Sequence, residues 1–407
     1  MNTTISFDNT EVAFAHKSND DLKQAHWLFT MMAKPWLVNL GTRLTPWAIR
    51  VGLPVKGAIR KTIFRHFVGG ETMEQCIPAI EKMAKYHVQV ILDYGVEGKE
   101  GEANYDHARD EFIRVINFAA GQPNVPFMSV KVTGIARFGL LEKLDALMNA
   151  VKEKSLIEKY HAAIQRLSAS EQQEWQRVYD RIEKICQTAQ QGGVGFLVDA
   201  EETWIQNPVD ALVMLMMDVY NKERVVIYNT LQLYRHDRLQ FLHESHAAAR
   251  ERNFILGAKL VRGAYMEKER SRAAEKGYPD PIQKDKASTD RDYDDAVRFC
   301  IEHNEEVSLI LASHNETSNL LATTLLTEKG LPLNNEHVHF SQLYGMSDNI
   351  TYNLAKAGCN VSKYLPFGPI QDVIPYLMRR AQENTSVGGQ TSRELNLIEK
   401  ELKRRKL

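Results

Sequence analysis

Eight short runs of mostly apolar residues recur along the chain, separated by longer stretches in which apolar positions return every three or four residues. The runs are Val88–Gly95, Phe127–Thr133, Gly195–Glu201, Arg224–Tyr234, Gly257–Tyr265, Ser308–Asn315, Val338–Tyr344 and Asn360–Pro366. Each reads as a buried strand, because a strand covered on both faces loses the polar–apolar alternation of a half-exposed one. Val209–Tyr220, Arg238–Arg252 and Tyr293–His303 carry helical periodicity between them. Strands alternating with crossover helices predict the α/β class, as a distorted (β/α)8 TIM-type barrel. An open doubly wound sheet is the alternative. It would normally carry a glycine fingerprint after an early strand, and the sequence has no GxGxxG.

Two stretches depart from the repeat. Residues 1–85 read as an N-terminal helical arm, broken by Pro35, Pro46 and Pro54. About 140–191, between the second and third strands, is too long for one crossover and predicts a helical insert ending at Gly192-Gly193. The barrel is then expected over 86–390. A C-terminal helix over 391–407 is expected to open on the capping-box pattern Thr391-Ser-Arg-Glu394.

Composition narrows the partners. Lys and Arg number 51 against 52 Asp and Glu, so there is no basic excess to favour nucleic acid. Cys76, Cys186, Cys300 and Cys359 are far apart and form no CxxC pair, which gives neither a disulfide scaffold nor a cysteine-rich metal site. No apolar run is long enough to span a bilayer, and no secretory or organelle signal is visible at the start. The expected location is cytoplasmic, with peripheral attachment to the inner face of the cell membrane as an extension.

In such a barrel, chemistry gathers at the C-terminal ends of the strands. That rule selects Lys131, Asp199, Gln232, Lys259 through Tyr265, Ser313, His314, Asn315, Gln342 and Tyr364. Arg379-Arg380, in YLMRRAQEN after the last strand, adds two guanidinium forks that can grip a carboxylate. Adjacent helical positions point about 100° apart, so both reach one anion only by approaching from two sides. A solvated surface pair is the plainer reading of the same residues.

DAEET at 199–203, KLVRGAY at 259–265, ASHN at 312–315, QLYGM at 342–346 and YLPFG with YLMRRAQEN at 364–384 resemble the motif set of the proline dehydrogenases. FVGGET at 67–72 and VKVTG at 130–134 extend the likeness to roughly residues 65–385. The resemblance implies non-covalent FAD, oxidation of L-proline to Δ1-pyrroline-5-carboxylate as the first step of proline catabolism, and a membrane quinone as electron acceptor. It implies a catalytic group of Lys131, Asp199 and Lys259. It implies substrate contacts from Lys131, Tyr364, Arg379 and Arg380, with Glu383 pairing the arginines. Ala200, Gln232, Lys259, Val261, Arg262, Gly263, Ala264, Tyr265, Ser313 and His314 fall on positions expected to contact the flavin. Many bacterial members resemble RLVKGAY, so KLVRGAY exchanges the two basic residues and leaves open whether Lys259 or Arg262 faces the flavin. At 407 residues the chain is expected to be the stand-alone type, without an aldehyde dehydrogenase half.

Several rivals frame that reading. Hydroxyproline dehydrogenase is the nearest, opposed by the bulk of Tyr364 beside a 4-hydroxyl group. A methylenetetrahydrofolate-reductase-like flavin barrel lacks the arginine pair. A metal-dependent hydrolase built on His337, His339 and His314 lacks further ligands at suitable strand ends, so no metal is expected. A non-catalytic membrane scaffold would leave the strand-end polar groups unexplained. Its one attraction is the stretch Leu22–Gly70, which has eight basic residues and no Asp or Glu, with Trp27, Trp36 and Trp47 among them. That stretch reads either as a peripheral membrane contact or as helices packed on the barrel with their tryptophans buried.

Overall fold

The computed structural model describes the backbone of residues 5–50, 55–95, 100–152, 154–386 and 390–407. Side chains are described for the same residues except 43, 45–50, 55–56, 383–386 and 390–391. Eight strands are hydrogen-bonded in chain order in a closed barrel. They are β1 (Gln89–Tyr94), β2 (Phe127–Val130), β3 (Gly195–Val198), β4 (Ile227–Gln232), β5 (Leu256–Val261), β6 (Val307–Ala312), β7 (Val338–Leu343) and β8 (Val361–Phe367). All eight expected runs contain a strand. Most are shorter than the runs, because pairing stops where the polar residues begin. Thus β2 ends at Val130, and Lys131 caps a 3-10 turn over Val132–Gly134.

Two compact units divide the chain: residues 97–340, and residues 1–96 together with 341–407. In the first, β2 to β6 pair in parallel, Ser129 opposite Leu197 and Thr230 opposite Lys259. Every residue of β3 and β4 is buried; β3 (GFLV) is apolar throughout, whereas β4 (IYNTLQ) carries Asn229, Thr230 and Gln232 at buried positions. The β4–β5 approach depends on one glycine: a Cβ on Gly257 would lie 2.1 Å from the Ile227 carbonyl oxygen. Between β2 and β3 lie the helices Phe138–Asn149, Leu156–Gln165 and Ala169–Gly192. The last begins on a capping box, Ser168 with Glu171, and ends on Gly193 in the left-handed region at φ 68°.

In the second unit, β1 pairs with β8, Ile91 opposite Tyr364. The arm is helical over Asn19–Met32 and Pro35–Arg50, followed by a π-helical turn at Arg60–Phe64. Pro35 starts its helix, but the helix runs through Pro46 instead of breaking there. A proline costs the bond to the carbonyl four residues back, here Thr42, which is half-buried and so within reach of water. Pro54 lies outside the described residues.

The C-terminal helix, Gln390–Arg404, starts one residue before the expected cap. The Glu394 carboxylate accepts the Ser347 backbone N–H at 2.8 Å, a buried contact, and the side chain of Thr391, the expected cap, lies outside the described residues. Trp27 and Trp36 are 51% and 64% exposed, which overturns the reading that buries the arm's tryptophans; the Trp47 side chain lies outside the described residues. Among the described residues no helix is long and apolar enough to cross a membrane.

Candidate active site

Three strand ends of the unit 97–340 converge on one carboxylate. Asp199 follows β3 directly, its N–H donating to the Val130 carbonyl at 2.8 Å. Its Oδ1 receives Lys259 Nζ at 2.5 Å and the Ser129 hydroxyl at 2.7 Å, and its Oδ2 lies 3.7 Å from Lys131 Nζ. Lys259 stands beside Thr230 across the β4–β5 ladder and is only 5% exposed. Burial alone would raise the Asp199 carboxyl, but the two lysines and the hydrogen bonds hold it at about 2. Lys131 and Lys259 are therefore held around a permanent anion, with more cation than anion in the group. That is a site of positive potential.

A second carboxylate lies one turn of chain further on. Glu201 accepts the Thr133 hydroxyl at 2.8 and 2.9 Å on its two oxygens. Desolvation pushes its carboxyl up to about 7, against the pull of Lys131 and Thr133. The folded value exceeds the ordinary 4.5, so the folded chain holds this proton more tightly than the unfolded one. Stability from this group is complete below about pH 4.5 and is lost as pH rises to about 7. Glu201→Gln is expected to stabilise the protein at pH 8 by up to about 3 kcal/mol and to be neutral near pH 4. Urea unfolding at the two pH values checks this, and an equal effect at both would refute it.

Gln232, at the end of β4, is 2% exposed and donates Nε2 to the Glu201 carbonyl at 3.0 Å. Its Oε1 is buried with no hydrogen-bond partner among the described residues. Beyond β5, Arg262 is held on three sides. Its Nε donates to Asp290 at 2.8 Å, and its terminal nitrogens donate to the Ser313 and Ser318 hydroxyls at 2.8 and 3.0 Å. Its guanidinium carbon lies 4.2 Å from the centre of the Tyr293 ring. Lys259 thus points into the barrel, whereas Arg262 is a fixed fork on its rim.

Gly263 has φ 133°, and a Cβ there would meet the Tyr234 ring at 2.4 Å. Gly263 and Ala264 leave backbone exposed, with Val261 and Tyr265 half-buried on either side. Ala200 and His314 are half-buried at the ends of β3 and β6. All the residues expected at the flavin fall on the C-terminal side of this unit's strands.

The expected substrate residues other than Lys131 belong to the second unit. Tyr364 is in β8 and 8% exposed. Arg379 and Arg380 share the helix Ile370–Ser386; Arg380 is 7% exposed with its guanidinium carbon 5.2 Å from the Tyr376 ring centre, and Arg379 is half-buried. The plain surface-pair reading fails for Arg380. The Glu383 side chain lies outside the described residues.

The histidines weighed for a metal do not assemble. His339 is buried edge-on to Phe127 at 4.9 Å, and burial pushes its imidazole down to about 3. The one group of suitable ligands among the described residues is His246, His303 and Glu306, where His246 Nε2 already meets Glu306 at 2.6 Å.

A closed parallel barrel with cationic, carboxylate-ordered strand ends is the scaffold of a small-molecule enzyme. Comparison with known sequences makes the class specific. The profile of the family described as proline dehydrogenase matches residues 76–393, and the chain belongs to that family. Proline dehydrogenase 1, mitochondrial, of Arabidopsis thaliana is 32% identical over 91% of this chain and 80% of its own length. Hydroxyproline dehydrogenase of Xenopus laevis is 32% identical over 98% of this chain and 90% of its own length.

The crystal structure of proline utilization A from Bdellovibrio bacteriovorus, inactivated by N-propargylglycine, shares the fold with a TM-score of 0.69 at 19% identity. The match covers 94% of this chain but only 36% of that protein. The cytoplasmic expectation is overturned. The Arabidopsis relative and those from Dictyostelium discoideum and Caenorhabditis elegans are all named mitochondrial. The start of the sequence was a poor guide to location, because an address carries no weight in the fold that relatives share.

Proposed function

We propose that the protein oxidises L-proline to Δ1-pyrroline-5-carboxylate with non-covalently bound FAD, and that a membrane quinone takes the electrons onward. The observation that carries this reading is the Asp199 group, which fixes two lysines at the ends of β2 and β5 around one permanent anion. Bound FAD supplies the acceptor for a hydride, and every other part of the task falls to the chain. The residues present fit such a cofactor. Gln232 Oε1 is a buried acceptor in want of an N–H, Gly263 and Ala264 offer bare backbone, and Arg262 presents a fixed cation.

Oxidation removes a hydride from the carbon beside the ring nitrogen and a proton from the nitrogen, leaving a C=N bond. The nitrogen can assist only with a free lone pair, so the amine must be neutral when the hydride leaves. Arg379 and Arg380 are assigned to the substrate carboxylate, and with Lys131 they set a positive potential that favours the neutral amine. Asp199 positions Lys131 and Lys259 and keeps both from drifting. The site needs no strong base, since water can accept the amine proton. Tyr364 is assigned to the ring face, where its bulk disfavours a 4-hydroxyl group. The hydroxyproline dehydrogenases among the relatives make this a sharp question, answered by comparing kcat/KM for proline and 4-hydroxyproline.

Anaerobic L-proline is expected to bleach the blue absorption band of the purified flavoprotein. Protein that cannot be loaded with FAD, or that stays yellow in proline, would refute the assignment. Arg380→Met is expected to lower kcat/KM for proline about 100-fold, mostly through KM, since a charge-assisted contact contributes about 1.5–3 kcal/mol. An unchanged KM would remove Arg380 from the substrate. The stretch 22–70 is our candidate for contact with the membrane that holds the quinone.

A further inference from the structure

Within the unit 97–340, one ligand atom from each of His246, His303 and Glu306 lies within 4.8 Å of the other two. The group stands at the N-terminal ends of the strands. Glu306 directly precedes β6, and its carbonyl accepts the backbone N–H of Leu256, the first residue of β5, at 2.9 Å. Asp199, which follows β3, lies at the other end of the strands. In a barrel of this kind the C-terminal end carries chemistry and the N-terminal end serves stability.

Packing and backbone bonds hold the three side chains in place. His303 closes the helix Lys286–Glu302, and its carbonyl accepts the backbone N–H groups of Glu306 and Val307, both at 2.9 Å. Those two bonds fix the turn that carries His303 and Glu306. His246 comes to the same point from the helix Arg238–Glu251 and is only 6% exposed. One ring supports both imidazoles: the centre of Phe299 is 5.2 Å from that of His246 and 4.6 Å from that of His303. An apolar floor of this kind orients metal ligands and limits access of water.

Both imidazoles turn to the same carboxylate oxygen. Glu306 Oε2 is 2.6 Å from His246 Nε2 and 3.7 Å from His303 Nδ1. Around a tetrahedral ion with bonds of about 2.0–2.2 Å, neighbouring ligand atoms stand roughly 3.3–3.6 Å apart. The His246 contact must therefore open and the His303 contact close slightly. An ion would take the place of the hydrogen shared by His246 and Glu306, which leaves for water or for the other ring nitrogen. Arg250 lies 3.4 Å from Oε1, the second carboxylate oxygen, so it leaves Oε2 to the ion. Its side chain is 64% exposed, and so wet an ion pair contributes little.

Two imidazoles and a carboxylate suit a borderline ion of the zinc type, whereas Mg²⁺ and Ca²⁺ prefer oxygen ligands. The C-terminal end of a helix, where His303 stands, also favours a cation. We propose that His246, His303 and Glu306 bind one Zn²⁺, with water in the fourth position, and that the ion clamps the helix Arg238–Glu251 to the β5–β6 edge. Three protein ligands and a water are also the set of a catalytic zinc, but the N-terminal face assigns this one to stability. The proposal does not depend on the oxidation of proline.

The test uses the full-length protein without a histidine tag, stripped by a chelator and dialysed against Zn²⁺. One ion per chain is expected, with a Kd of about 1 μM or below, short of the affinity of four-ligand sites. Zn²⁺ at about 100 times Kd should raise the unfolding midpoint by about 3–5 °C. His303→Ala and Glu306→Gln, both at partly exposed positions, should each lower the affinity about 100-fold or more, because losing even an outer partner of a metal ligand costs about 10–100-fold. His243→Ala, exposed and outside the group, should bind as the parent does. Co²⁺ in place of Zn²⁺ should give the strong visible bands of four-coordination, at longer wavelengths than a flavin absorbs.

Fewer than one ion per chain, undiminished binding by either ligand variant, or an equal loss in His243→Ala overturns the proposal. So does displacement of Zn²⁺ by millimolar Mg²⁺, or a weak six-coordinate cobalt spectrum. An unchanged midpoint in protein that has bound its ion would refute the clamp.

Discussion

Asp199→Ala is expected to slow proline-dependent flavin reduction at least about 100-fold and to destabilise the fold by about 3–5 kcal/mol. The carboxylate sits 2.5 Å from Lys259 and 3.7 Å from Lys131, and it is nearly buried. Without it, two ammonium groups would face each other with no anion between them. One must lose its proton or swing away, and either change removes the fixed positive potential assigned to the substrate amine. The loss in rate should be about 10² or more, the range for removing a preorganised electrostatic group. Asp199→Asn separates the two effects: it keeps the Ser129 hydrogen bond but not the charge, so it should recover part of the stability and little of the rate. Stopped-flow bleaching with chemical denaturation measures both. A substantially active Asn variant would mean that Asp199 only fills space.

The second large effect lies away from the catalytic assignments. Asp348→Ala is expected to cost a similar 3–5 kcal/mol and to loosen the helical arm. Asp348 holds Lys363 at 2.9 Å, Lys17 at 3.1 Å and His16 at 3.3 Å, tying β8, the start of the arm and the helix Asp348–Lys356 to one carboxylate. Burial alone would raise its carboxyl, but Lys17 and Lys363 hold it well below the usual range. Removing it strands a lysine that is 1% exposed. Hydrogen exchange should show faster exchange in Asn19–Met32 and β8. Proline affinity in the surviving folded fraction should change little.

What the sequence made legible follows from how local each feature is. Every strand of the barrel announced itself as a short, mostly apolar run; GFLV is apolar throughout, while VSKYLPF also carries Ser362 and the buried Lys363. The strand-end residues Lys131, Asp199 and Lys259 were found by the same geometry, and they do gather. Glu201 stood inside DAEET, yet it was passed over, since only burial turns that carboxyl into one that holds its proton near neutrality. Asp290 could not be found at all. It meets Arg262 from a helix 28 residues further along, and no spacing rule connects them. Glu394 has a role that its local pattern did not announce, because its carboxylate accepts a buried backbone N–H 47 residues away. Location failed because nothing in packing encodes it.

The pairing of β1 with β8 also governs how the chain comes off the ribosome. β1 ends at Tyr94 and β8 begins at Val361, so the first strand is made 266 residues before its partner starts. At roughly 5–20 residues per second, that is a wait of tens of seconds. Residues 97–340 form a continuous unit that can fold during the interval, but the arm cannot finish. Its last ties come from the far end of the chain, where Arg405 donates to the carbonyls of Phe14 and Lys17 and Arg393 pairs with Asp8. Through synthesis, β1 is therefore an apolar edge in search of a strand, and a truncated C-terminus would leave it so for good.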